Sequence, residues 1–92
     1  HLSIRRQRQM CIRDRTDLTL TLIAETLAGE GLSLADVVSC TVHLADKADF
    51  EGFNAAYRKH FSDPLPVRTT VEAKMMMDVK IEITVVAAER NK

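Results

Sequence analysis

VVSCTVHLADKADFEGFNAAYRKHF, residues 37–61, changes its period halfway along, and that change decides the fold. From Val37 to Ala45 apolar and polar residues alternate, with Val38, Cys40, Val42 and Leu44 on one face and Ser39, Thr41 and His43 on the other. A repeat of two belongs to a half-buried strand. From Asp46 onward Phe50, Phe53, Tyr57 and Phe61 recur at spacings of three and four. That repeat predicts an amphipathic helix, started by Asp46 and burying an aromatic stripe.

On the C-terminal side, "SDPLP" breaks the helix, because proline lacks an amide proton and disfavours helical geometry in the residue before it. Alternation returns over Val67–Met75 and again over Val79–Ala88, where Val79, Ile81, Ile83, Val85 and Ala87 form an apolar row. On the N-terminal side, "TDLTLTLIAETLAGEGL" from Thr16 carries two competing patterns. Leu18, Leu20 and Leu22 alternate with threonine as in a strand, whereas Leu20, Ile23, Ala24 and Leu27 follow helical spacing. Asp17 as a cap, the helix-forming "IAETLA" and the stop at Gly29 and Gly31 favour the helix. Ser33 and Asp36 have the spacing of a capping box.

Helix, strand, helix, strand, strand is an α+β order, with two helices covering one face of a sheet. Strand parity places Ser39, Thr41, Arg68, Thr70, Glu72, Lys80, Glu82 and Thr84 on the other face, followed by Val86 and Ala88. That mixture suits a subunit interface holding a polar pocket better than it suits plain solvent.

With 92 residues the chain is one domain with a small core. Its formal charge of zero hides an asymmetry. Residues 1–15 carry Arg5, Arg6, Arg8, Arg13 and Arg15 against Asp14, so residues 16–92 hold a net charge of −4. An acidic body argues against nucleic-acid binding, which needs a basic face. No apolar run approaches the roughly 18 residues of a membrane span. Cys11 and Cys40 lack the paired spacing of a zinc site or disulfide framework, which points to reduced thiols and a cytoplasmic setting. His43 and His60 have no second ligand at useful spacing, so no metal site is expected.

Residues 1–15 show no regular period and are expected to be a disordered or non-native tail ahead of a domain over 16–92. An Arg-rich leader is one reading of the stretch. The other is a scar, since "MCIRDR" is similar to translated sequencing-adaptor readthrough.

The motifs "SLADVV", "DFEGFNAAY", "RTTV" and "KIEI", in that order between Thr16 and Ala88, resemble the RidA (YjgF) family of enamine/imine deaminases. The resemblance implies a chorismate-mutase-like fold, assembly as a homotrimer, and pockets between subunits for small carboxylate-bearing substrates. It also implies hydrolysis of 2-imino or enamino acids, such as 2-iminobutanoate and 2-iminopropanoate, to 2-oxo acids and ammonia, without a cofactor. Arg68 then binds the substrate carboxylate, with Thr69 and Thr70 completing the cradle, and Glu82 positions or activates water. A guanidinium suits the first role because it is always charged and grips a carboxylate with two parallel hydrogen bonds. Arg68 and Glu82 are separated by an even number of residues, so both are expected on one side of the sheet if the "MMMD" turn keeps parity.

Family members open with two further strands and a Gly-rich "SGQ" segment, neither of which precedes Thr16. Relative to the family the domain therefore reads as N-terminally truncated and its pocket as incomplete. The competing expectations are a non-catalytic, small-carboxylate-binding regulatory homotrimer and an inactive fragment. From periodicity alone, Arg68, Glu72, Lys80 and Glu82 are solvated cross-strand ion pairs of little energetic weight.

Overall fold

The computed structural model describes residues 10–63, 65–74 and 80–89. In chain order the elements are α1 (Ile12–Ala28), a 3-10 turn (Leu34–Asp36), β1 (Val37–Leu44), a second 3-10 turn (Lys47–Asp49), α2 (Phe50–Arg58), β2 (Val67–Glu72) and β3 (Ile81–Ala87). The sheet runs β2-β1-β3, with β1 parallel to β2 and antiparallel to β3. Both helices lie on one face, where Leu20, Phe53 and Tyr57 meet Val37, Cys40, Val42, Leu44 and Ile81. This is the expected α+β arrangement.

Local chemistry accounts for most of the elements. Ser33 and Asp36 form the capping box, with Ser33 N donating to Asp36 Oδ2 at 2.9 Å. Asp46 Oδ1 accepts from Ala48 N at 2.9 Å and starts the turn that leads into α2. In α1 the threonines that mimic a strand pattern send their hydroxyls back four residues, Thr16 to Ile12 O at 2.7 Å and Thr21 to Asp17 O at 2.8 Å. This back-bonding satisfies a β-branched polar residue inside a helix. Gly31 ends the segment at φ 75°, in the left-handed region that favours glycine.

α1 departs from its expected start. It begins at Ile12 instead of Thr16, and Cys11 Sγ accepts from Asp14 N at 3.5 Å in the cap position. Asp17 therefore sits inside the helix and does not cap it. Its carboxylate instead ties α1 to the residues after α2, through His60 Nε2 at 2.8 Å and Lys59 Nζ at 3.8 Å. For residues 1–9 the expected tail lies outside the described residues, as does the "MMMD" turn.

Arg15 is fully buried in the first turns of α1. Its Nη2 donates to Met10 O at 3.1 Å, while Nε and Nη1 find no hydrogen-bond acceptor. Burial pulls its pKa below the ordinary arginine value, and the nearby Asp49 carboxylate opposes that pull. A buried, incompletely bonded cation costs stability.

Strand parity holds in β3, where Ile81, Ile83, Val85 and Ala87 all turn toward the helices. β1 carries an irregularity between Val37 and Ser39. The extra residue gives the inward position to Val37 and leaves Val38 exposed. β2 reverses the expectation. Arg68 and Thr70 pair with Cys40 and Val42 and face the helices, whereas Val67, Thr69 and Val71 face away. Val67 is 72% exposed.

Phe53→Ala should lower the unfolding free energy by about 3–5 kcal/mol, the usual cost of emptying a buried aromatic site. Arg15→Met should raise it instead. Urea titrations followed by circular dichroism report both, and a lower midpoint for Arg15→Met would mean that attraction to Asp49 outweighs the cost of burial.

Candidate functional site

The inward turn of β2 places the Arg68 guanidinium against α2. Asn54, Tyr57, Arg58 and Phe61 recur at helical spacing on the side of α2 and its extension that faces β2, and all four line one cleft with Arg68. Arg68 Nη1 donates to Asn54 Oδ1 at 2.6 Å. The guanidinium carbon lies 4.9 Å from the Tyr57 ring centre and 5.6 Å from those of Phe50 and Phe53. The rings themselves form a tilted ladder, with centroid separations of 6.2, 5.3 and 4.7 Å from Phe50 through Phe53 and Tyr57 to Phe61. A guanidinium over aromatic faces is held by the ring quadrupoles, and apolar walls strengthen that attraction.

Among the described residues no carboxylate lies within ion-pair distance of Arg68. The cation is fixed by one amide and three rings while its charge stays unneutralised. The cleft before it has a volume of about 710 Å³ and continues past Asp63 and Leu65. Thr70, two residues along the same face, has a buried hydroxyl without a hydrogen-bond partner. It does not line the Arg68 cleft but a separate, smaller pocket with Leu44, Lys47 and Phe50. Thr69 lies on the far face, away from Arg68 within the chain.

Glu82 is not beside Arg68. In the cross-strand rows, Arg68, Cys40 and Val85 share the helix-facing side, and Val71, His43 and Glu82 share the other. Glu82 Oε1 lies 3.4 Å from His43 Nδ1, an ion pair when the imidazole carries its second proton. The expectation that Arg68 and Glu82 share a face therefore fails. The physical reason lies in β2, where apolarity favours the valines inward but the aromatic ladder takes the arginine.

The residues that sequence reasoning missed are Asn54 and the ladder acting as a cage. An asparagine in the middle of a helix is a poor helix former, and that was the available signal. Cys40 lies beneath the cage. Burial pushes its thiol pKa up, with the Tyr57 hydroxyl and the Arg68 charge opposing the shift. Burial also pushes the Tyr57 hydroxyl well above its ordinary value, and the neighbouring Cys40 thiol adds to it. A thiol so held is inert, in keeping with a packing role. No group of three or more His, Cys, Asp or Glu suited to a metal ion occurs among the described residues, and none of their helices is long and apolar enough to cross a membrane.

The family model described as endoribonuclease L-PSP matches residues 6–89. A RutC family protein of Saccharolobus solfataricus is 43% identical over 77 residues, which cover 83% of this chain and 61% of that protein. The chloroplastic Reactive Intermediate Deaminase A of Arabidopsis thaliana is 38% identical over 77 residues, covering 83% of this chain and 41% of that one. The crystal structure of E. coli TdcF with bound serine superposes with a TM-score of 0.77 at 29% identity, over 85% of this chain and 65% of that one. The chain thus spans about two fifths to two thirds of the length of these relatives.

Both Cys40 and Tyr57 have folded-state pKa values above their unfolded ones. Their contribution to stability is complete below the unfolded values of about 8.5 and about 10, and is lost as pH rises through them toward the folded values. Unfolding free energy should fall between roughly pH 8 and pH 11, and the doubly substituted Cys40→Ala, Tyr57→Phe chain should show a flatter alkaline limb. An unchanged limb in urea titrations of that variant would assign the loss to other groups.

Proposed function

This chain belongs to the endoribonuclease L-PSP family, the RidA (YjgF) family to which its motifs pointed, and from that premise we propose that it serves the hydrolytic deamination of 2-imino or enamino acids to 2-oxo acids and ammonia. The observation that carries the reading is the Arg68 guanidinium, clamped by Asn54 and three rings at a cleft of about 710 Å³ with no carboxylate partner among the described residues. Such a cation is ready for the substrate's carboxylate.

The chemistry adds one water. A hydroxyl oxygen from water bonds to the imine carbon while the other water proton goes to nitrogen, and the resulting carbinolamine then passes its hydroxyl proton to nitrogen as the C–N bond breaks, releasing ammonia and leaving a carbonyl. Glu82 fills the role of general base, a step worth about 10²–10⁴ in rate. Because Glu82 lies on the far face of the sheet from Arg68, the site needs a second copy of the chain, which brings its outer sheet face to the cleft. The exposed Val38, Val67, Val71 and Val86 support a homotrimer that covers them. The proposed setting is cytoplasmic, in keeping with two free cysteines.

One observation favours a second reading. Within a single chain the Arg68 guanidinium faces its cleft with no base beside it, which is what a small-carboxylate-binding regulatory protein needs.

Imines produced by an amino-acid oxidase and trapped by semicarbazide separate the two. Deaminase activity should lower semicarbazone yield, Arg68→Ala should abolish the effect, and Glu82→Gln should cut the rate by about 10²–10⁴ while 2-oxobutanoate still binds. Binding of 2-oxobutanoate by the native chain with no loss of semicarbazone would leave the regulatory reading in place.

A further inference from the structure

Arg68 is not the only guanidinium in the cleft. Arg58 lines it as well, four residues beyond Asn54 and so one turn further along the same face of α2. No carboxylate among the described residues lies within ion-pair distance of Arg58. The helical rise separates Arg58 from the Asn54 that holds Arg68 by about 6 Å along the axis. Tyr57, just before Arg58, and Phe61, three residues beyond it, also line the cleft and give a short carbon chain apolar walls.

A four-carbon oxo acid leaves most of a cleft of about 710 Å³ empty, for spaces of roughly 300–1,000 Å³ accommodate much larger ligands. Resting on the reading of Arg68 as the carboxylate clamp, we infer that the cleft selects acids with a second anionic group, with Arg68 taking the carboxylate next to the reacting carbon and Arg58 the distal one. The substrate class is then the 2-imino dicarboxylic acids, and the product class the 2-oxo dicarboxylic acids.

Two features of the cleft bear on the assignment. Arg58 occupies the last turn of α2, where a cation also complements the helix dipole, so a purely structural role is the competing account. Asp63 lines the cleft too, and its carboxylate repels a distal anion. It therefore tempers the preference and supplies a substitution of opposite sign.

Calorimetric titration of the full chain with 2-oxobutanoate and 2-oxoglutarate tests the inference without requiring turnover. 2-Oxoglutarate should bind about tenfold more tightly, the scale of one exposed charge-assisted contact. Arg58→Ala should bring that ratio to about one, Arg58→Lys should restore part of it, and Asp63→Asn should raise it a few-fold. Thermal unfolding of the same variants separates affinity from stability. Equal affinity for the two acids, or a ratio that survives Arg58→Ala while thermal stability falls, overturns the role of Arg58 and leaves the Arg68 clamp standing. Failure of the native chain to bind either acid overturns both.

Discussion

The aromatic ladder of α2 takes a cation where a β-strand would ordinarily offer an aliphatic side chain, and the functional geometry depends on that choice. With Arg68 stacked over Phe50, Phe53 and Tyr57 and hydrogen-bonded to Asn54, β2 can pair with β1 in only one parity. A slip by one residue would bury Val67 and Thr69 and expel the guanidinium into water. The stacking energy is modest for each ring, of order 0.5–2 kcal/mol. It is nevertheless directional, and three rings point the same charge at the same cleft.

That parity has a cost on the outer face. The valines displaced from the core, Val67 and Val71, join Val38 and Val86 as exposed apolar side chains on a sheet that has three strands among the described residues. Isolated exposed aliphatic residues need no explanation, but several on one sheet face mark a surface suited to association. The acid of the proposed chemistry, Glu82, lies on this same face beside His43. Arg68 and Glu82 are thus divided between the two faces of the sheet.

The interior shows the same economy. The fully buried side chains are few, and the largest of them, Arg15, is a charged residue with two nitrogens lacking acceptors. Thr70 also holds a buried hydroxyl without a hydrogen-bond partner. For Arg15 this is a liability of packing. Thr70 leaves its unpaired hydroxyl at a small pocket apart from the Arg68 cleft.

The sequence by itself determined the element order, the inner face of β3, the capping box of Ser33 and Asp36 and the aromatic stripe. Each of these follows from short-range periodicity, local hydrogen bonding or a motif, and none requires knowledge of what packs opposite. Tertiary structure alone decided which way β2 faces, that Asn54 and the ladder hold Arg68, that Asp17 ties α1 to His60 rather than capping it, and that Glu82 lies across the sheet from the clamp. Alternation in a strand fixes which residues share a face but not which face is buried. That outcome rests on the partner surface, and here three aromatic rings on a neighbouring helix favour a planar cation over a valine.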